Sequence, residues 1–293
     1  MQYHVNGDLV PAEDATVSVS DRGFKYGDAA FETLRAYGGE PFAWEAHADR
    51  LERTCDTLAI DHGLGRDDLR TRVDETLAAN DLEEAYVRLS VTRGVQPGKL
   101  QPAPEVDPSV VVIVKGLTRG GTAGDPTWAA PARLRTVATR RIPDEAVPAA
   151  AKTHNYLNGI LARLELRGTD ADEALLLDTG GYLAEGATSN VFFVLDGALR
   201  TPSLDGPVLP GVTRSVVLDL AREEGIPVEP GHYGPGELRA ADEAFVTNST
   251  WEVRPVDTVD DVAVGGGPVT DLLRRAYEEL VDERHYDGNG AGD

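Results

Sequence analysis

Pro148-Ala-Ala-Ala-Lys152-Thr-His-Asn-Tyr156 sets one of only four lysines, the others being Lys25, Lys99 and Lys115, among small residues halfway along a chain of 293. The run that follows, Leu157-Asn-Gly-Ile-Leu-Ala-Arg-Leu-Glu165, has helical spacing, so a helix is predicted from Lys152 to about Arg167. A lysine in a tight, partly apolar niche at a helix start is nucleophilic toward aldehydes and ketones, which is the signature of a Schiff base. The plain alternative is a surface lysine capping a helix. Downstream, Gly180-Gly-Tyr-Leu-Ala-Glu185-Gly-Ala-Thr-Ser-Asn-Val-Phe-Phe-Val194 puts one carboxylate in a bend of small residues ahead of an apolar strand. A carboxylate placed there can hold the protonated nitrogen of a heterocycle.

Working outward toward the N-terminus, residues 2 to 10 alternate like a strand with a turn at Asn6-Gly7-Asp8, and a second extended piece is predicted at Ala15 to Ser20. Tyr26-Gly-Asp28 reads as a loop and Phe31-Glu-Thr33-Leu-Arg-Ala-Tyr37 as a strand, closed by a turn at Gly38-Gly39. Glu45 to Leu58 is a helix with Ala48, Leu51, Cys55 and Leu58 on one face. Arg50 lies off that stripe, either solvated or reaching across as a phosphate clamp. A second helix is predicted over Asp67 to Asn80, then a strand, Ala85 to Gly94, that sets Arg88 and Ser90 opposite Val87, Leu89 and Val91. Arginines on a strand face are usually exposed, but here they could also bind a substrate carboxylate. Val110 to Val114 is an apolar strand, and the glycine-rich, aperiodic piece after it is the candidate linker.

Toward the C-terminus, strands are predicted at Arg133 to Thr139 and in a meander from Glu173 to Thr201. Leu209-Pro-Gly-Val212-Thr213-Arg opens a long helix with Thr213 as its cap, and amides exposed after a glycine there make an anion site. Glu243 to Val256 reads as a strand broken by the hydroxyl-rich turn Asn248-Ser249-Thr250-Trp251. The closing helix, Pro268 to Val281, buries Val269, Leu272, Leu273, Ala276, Tyr277 and Leu280.

These segments, in this order and spacing, resemble the class IV (fold type IV) pyridoxal-phosphate aminotransferases, the group that holds branched-chain and D-amino-acid aminotransferases and aminodeoxychorismate lyases. The resemblance runs from Tyr26-Gly-Asp to Pro255-Val256. It implies a mixed α/β (α+β) fold of two domains with the site between them: a small N-terminal domain at 1–115, a linker at 116–128, a large cofactor-binding domain at 129–286 and a disordered tail at 287–293. Lys152 resembles the lysine that holds pyridoxal 5'-phosphate as a Schiff base, and Glu185 the partner of its ring nitrogen. Arg50, the amides of Val212 and Thr213, and Ser249 resemble the phosphate cradle, with Tyr156 and Asn248 in the cofactor-binding set. Tyr26, Phe31, Thr33, Tyr86, Arg88, Thr250 and Trp251 resemble the substrate pocket, and no metal is implied.

Within the group the signals divide. Thr33 stands where branched-chain enzymes carry glycine, and the Lys-x-x-Asn spacing is closer to the D-amino-acid and lyase branches. The loop Val95-Gln-Pro-Gly-Lys99-Leu lacks the arginine and histidine trap of the D-amino-acid branch, whereas Tyr86-Val-Arg88 resembles the branched-chain pocket strand, and Trp251 stands where those enzymes have a small residue. The implied function is transamination between an aliphatic or branched-chain amino acid and a 2-oxo acid. Release of pyruvate from aminodeoxychorismate and a non-catalytic cofactor-binding or acidic interaction protein are the alternatives. The group also implies a homodimer.

Charge bears on partners. With 50 acidic against 28 basic residues the net charge is −22, which argues against nucleic acid or an anionic membrane as partner. The start, Met1-Gln-Tyr-His-Val-Asn-Gly, reads as strand rather than leader, and Cys55, the only cysteine, allows no intrachain disulfide, so a cytoplasmic location is expected. The charge excess is read as adaptation to high salt, where screening over about 3 Å at 1 M suppresses self-repulsion. The thermal midpoint is expected to rise from low to molar KCl; one that stays flat or falls contradicts this reading.

Overall fold

The computed structural model describes residues 1–119 and 127–286. It divides into two compact units, the first made of Met1–Arg119 together with Ala151–Asn155, the second of the remaining described chain. Residues 120–126, central to the predicted linker, and the tail 287–293 lie outside the described residues.

The first unit carries β1 (Gln2–Val5), β2 (Asp8–Pro11), α1 (Arg22–Tyr26), β3 (Ala29–Tyr37), β4 (Glu40–Pro41), α2 (Trp44–Leu58), α3 (Arg66–Ala78), β5 (Ala85–Thr92) and β6 (Val110–Gly116). Its strands form one sheet in the order β2-β1-β6-β5-β3-β4. Register explains the layering: β3, β5 and β6 align so that Ala30, Leu34, Val87, Leu89, Val91, Val110, Val112 and Val114 share one face, and this face buries Leu51, Leu69, Val73 and Leu77 of α2 and α3. The opposite face carries Phe31, Thr33, Tyr86, Arg88 and Ser90. Gly38 and Gly39 both take positive φ, 56° and 81°, as a two-residue hairpin turn that follows the strand twist requires. The extended piece predicted at Ala15 to Ser20 joins neither sheet.

The second unit carries β7 (Ala132–Arg140), α4 (Leu157–Leu164), β8 (Glu173–Leu177), β9 (Leu183–Gly186), β10 (Asn190–Leu195), β11 (Ala198–Pro202), α5 (Val212–Glu223), β12 (Val228–Gly231), α6 (Pro235–Arg239), β13 (Glu243–Asn248), β14 (Glu252–Val259), β15 (Val262–Ala263) and α7 (Pro268–His285). Its sheet runs β12-β11-β10-β13-β14-β7-β8-β9, with β15 beside β14. Three helix expectations need correction. The helix after Lys152 begins only at Leu157, because the lysine segment pairs with a strand instead. Thr213 is not the cap of α5: Gly211 occupies that position, and no side chain caps it. On α7, Leu273, Ala276 and Tyr277 are buried as expected, but Val269, Leu272 and Leu280 are only half-buried, and Thr270, Glu278 and Val281 complete the buried face.

Candidate active site

In the first unit, Ala151–Asn155 lies antiparallel along the start of β3, an edge left open because β4 pairs only with Ala36 and Tyr37. The Phe31 amide donates to the Lys152 carbonyl at 3.0 Å and the His154 amide to the Ala29 carbonyl at 3.0 Å. Strand alternation then sends the Lys152 and His154 side chains to the face of Phe31. Lys152 Nζ lies 4.4 Å from the Phe31 ring centroid, Arg88 Cζ 3.8 Å from it, and the His154 ring meets Phe31 edge-on at 5.5 Å. Thr33 faces Arg88 across the strands, and Tyr86 faces Arg35. His154 Nε2 is 3.2 Å from the Ser90 hydroxyl. Burial first, and the Arg88 charge second, lower the imidazole to about 4, so it is neutral at pH 7.

The Lys-x-x-Asn spacing has a visible reason. Asn155 Nδ2 donates to the Gly27 carbonyl at 3.1 Å, tying the lysine segment to the Tyr26-Gly-Asp loop. Gly27 has φ 70°, and a Cβ there would come 2.7 Å from Asn155 Oδ1, so both backbone conformation and space require glycine. Tyr26 itself ends α1 under the Arg22 and Lys25 side chains.

Arg50 is not a solvated helix arginine. Its Nε and Nη2 hydrogens go to the two oxygens of Glu32 at 2.8 and 2.6 Å, and His47 Nδ1 lies 2.7 Å from Glu32 Oε2, all three side chains being buried. Burial alone would raise the Glu32 carboxyl, but the charge and hydrogen bonds of Arg50, with His47, bring it down to about 2. Desolvation dominates at His47 and lowers its pKa, so the neutral ring donates Nδ1–H to the carboxylate. Neither Glu32 nor His47 was singled out from the sequence. The available signal is the helical spacing of His47, Arg50 and Thr54 in the row beside the apolar stripe of α2, together with a glutamate that alternation puts on the buried face of β3.

In the second unit, Glu185 on β9 accepts from Arg141 Nε at 2.7 Å and from the Leu209 amide at 2.9 Å. Arg141 is a partner that sequence reading missed. Asn190 Nδ2 donates to the Leu209 carbonyl at 3.0 Å, and any Cβ on Gly211 would collide with Asn190 Oδ1, so Gly211 lets the chain turn into α5. The amides of Val212 and Thr213 therefore open an uncapped helix. At the Asn248–Trp251 turn, Asn248 Oδ1 accepts from Thr250 Oγ1 and from the amides of Thr250 and Trp251, while its Nδ2 donates to the Thr188 carbonyl at 3.2 Å. Asn248 thus shapes the turn presenting Ser249 and Thr250, and Trp251 packs against the sheet core with Arg254 over its ring. Tyr156 begins the second unit just ahead of α4.

Residues 29–259 match the family of class IV amino-transferases. The chain belongs to this family. It is 37% identical to the putative branched-chain-amino-acid aminotransferase of Methanocaldococcus jannaschii, over 97% of this chain and 96% of that one. It superimposes at a TM-score of 0.90, with 30% identity, on the branched-chain aminotransferase of Thermoproteus uzoniensis solved with norvaline, covering 98% of this chain and 96% of that one. A third similarity is to the T.th. branched-chain amino acid aminotransferase solved with pyridoxamine 5'-phosphate: TM-score 0.89, 32% identity, 97% and 94% coverage. Class IV aminotransferases are pyridoxal-phosphate enzymes. Each unit by itself carries groups that fit that cofactor: the first an amine on an apolar ring, the second a carboxylate held at both oxygens and a helix N-terminus without a side-chain cap, which suits a phosphate.

Because the folded Glu32 carboxyl titrates near 2 rather than its ordinary 4.5, its contribution to stability is complete above pH 4.5 and is lost as pH falls through about 2. Glu32→Gln removes the carboxylate that the buried Arg50 fork grips and is expected to cost about 3–5 kcal/mol at neutral pH in denaturant unfolding. It should also flatten the acid limb of stability between those two pH values; a variant with the wild-type acid limb would remove Glu32 from this role.

Proposed function

We propose that this class IV aminotransferase moves an amino group between an aliphatic or branched-chain amino acid and a 2-oxo acid such as 2-oxoglutarate, with Lys152 as the reacting amine. The observation that carries it is the Phe31 ring approached by both the Lys152 amine and the Arg88 guanidinium. An apolar platform beside the amine accepts an aliphatic side chain, and the guanidinium at the same ring accepts a distal carboxylate, so one face serves both amino donor and acceptor. Tyr26, Thr33 and Tyr86 from the first unit and Thr250 and Trp251 from the second are the other substrate residues in this reading.

Pyridoxal phosphate, when bound, supplies an aldehyde and a ring that withdraws electrons from the substrate Cα. Lys152 Nζ would hold the cofactor covalently and, when not so engaged, would be the general base that takes the proton from the donor Cα and supplies one to the corresponding carbon of the acceptor. Glu185, fixed by Arg141 and the Leu209 amide, would be the partner that keeps the ring nitrogen protonated. Arg50, with its plane set by Glu32, is proposed for the phosphate together with the Val212 and Thr213 amides and Ser249; Tyr156 and Asn248 complete the cofactor set. The lyase reading rests on Thr33 and the Lys-x-x-Asn spacing, and its signature is pyruvate released from aminodeoxychorismate without an amino acceptor.

Among the described residues no helix is long and apolar enough to cross a membrane. A cytoplasmic, salt-adapted protein without nucleic-acid or membrane partners is proposed from its composition. A homodimer is proposed from the family resemblance, and one surface supports it: Leu157, Ile160, Leu161 and Leu164, one face of α4, are 65, 54, 46 and 40% exposed. Light scattering is expected to give twice the chain mass, and Leu161→Glu to shift it toward the monomer; a wild-type monomer would overturn the assembly.

Purified protein is expected to carry a cofactor absorbance band that borohydride fixes on Lys152. Lys152→Ala should lower turnover by at least about 10³-fold with the fold intact, and Glu185→Gln should slow proton abstraction more than it weakens cofactor retention. A donor screen with both enantiomers, read as 2-oxo acid formed, tests the substrate class. Lys152→Ala with near-normal rate, or no branched or aliphatic donor used, would overturn the reading.

A further inference from the structure

The backbone of Lys152 is held at both ends. Its carbonyl accepts from Phe31 of β3, while its amide donates to the hydroxyl of Thr54 at 3.0 Å. Thr54 is fully buried on α2, and the same hydroxyl donates to the carbonyl of Arg50, one turn earlier, at 2.8 Å. A hydroxyl has one hydrogen to give and lone pairs to accept with, so this single group is engaged in both directions. The loop closes through the side chains: Arg50 grips Glu32, and Glu32 follows Phe31, the residue that holds the lysine carbonyl. Lysine, strand, arginine and helix turn thus belong to one closed circuit of hydrogen bonds, and Thr54 is a link in it that a point change can cut without touching a charge.

We propose that Thr54 is a positioning residue that sets the Lys152 amine in register with the phosphate-anchoring turn of α2. This rests on the reading of Lys152 as the capturing amine and of Arg50 as a phosphate ligand. The physical reason is that a lysine side chain has four freely rotating carbons, so its reach toward an aldehyde is defined only as well as its Cα is. The Phe31 and His154 bonds to β3 tie the chain on the carbonyl side of Lys152; the Thr54 bond ties it on the amide side and restricts turning of Cα about that edge. A shift of about 1 Å in a reacting group is enough to cost on the order of 10²-fold in rate. The role is specific to the hydroxyl: valine has the same shape but leaves the Lys152 amide without its acceptor, whereas serine retains it.

The test separates anchoring from capture by using two cofactors. Pyridoxine 5'-phosphate has the ring and phosphate but no aldehyde, so its affinity reports the cradle alone; pyridoxal 5'-phosphate adds reaction with Lys152. Apoprotein of wild type, Thr54→Val and Thr54→Ser is titrated with each by fluorescence, and covalent capture is followed by absorbance and by borohydride fixation with peptide mapping. Thr54→Val is expected to bind pyridoxine 5'-phosphate within twofold of wild type, to capture pyridoxal 5'-phosphate at least tenfold more slowly, and to lower kcat by a similar factor with donor KM little changed. Thr54→Ser should restore capture to within about threefold. Wild type fixed on Lys152, with capture by Thr54→Val as fast as wild type, overturns the positioning role alone. Parallel loss of both ligands in Thr54→Val also overturns it, since that is the mark of a collapsed cradle. Wild type fixed at a residue other than Lys152 overturns this proposal and the reading beneath it together.

Discussion

The first unit depends on one buried ion pair. A glutamate on the apolar face of a sheet would cost several kcal/mol left alone, and Glu32 sits there, 1% exposed, between Leu34 and Ala30 of the same core. Arg50 and His47 of α2 offset that cost with hydrogen bonds to both carboxylate oxygens. A purely apolar contact would let the helix slide or rotate on the sheet, since nothing in leucine packing fixes register to a fraction of an ångström. The bidentate fork does fix it, and with it the turn that bears Thr54, the Lys152 backbone and the lysine amine beside Phe31.

The second unit uses the same device with different parts. Glu185 is held by Arg141 on one oxygen and by the Leu209 amide on the other, so the carboxylate and the entry to α5 are fixed together. Asn190 then holds the Leu209 carbonyl, and Thr247 pairs with Asn190 across β10 and β13, next to the turn that Asn248 folds. The carboxylate, the helix N-terminus and the hydroxyl-bearing turn are consequently parts of one end of one sheet. Motifs far apart in the chain are brought together there by strand pairing.

Charge is partitioned in the same spirit. The chain carries a net charge of −22, yet Arg22, Arg35, Arg50, Arg93, Arg214 and Arg254 are buried, and among them Arg22, Arg50 and Arg93 bind carboxylates or carbonyls that pin loops and helices. Guanidinium suits this use because it stays charged and offers donors in a planar fork. Cys55, also buried, has its thiol pushed up to about 12 by desolvation and the nearby Asp56 and Glu52, so it serves as a packing residue rather than a nucleophile.

Sequence alone determined the elements whose reasons are local. The alternation of β5 put Arg88 and Ser90 on one face and Val87, Leu89 and Val91 on the other; Gly38-Gly39 marked a turn; the order of lysine, glutamate and glycine-threonine motifs named the family. It misjudged Lys152 as a helix start because the small residues and helical spacing after it are local facts, whereas the vacant edge of β3 that claims the segment lies about 120 residues earlier in the chain. Likewise the sequence left Arg50 open between solvent and a phosphate and did not show Glu32 as its partner, because Glu32 sits on another element and only packing shows that both are buried. What tertiary structure decided, then, is which polar groups share a buried space: burial makes an unpaired charge or amide intolerable, and the choice of partner is made by proximity in the fold, which spacing along the chain does not encode.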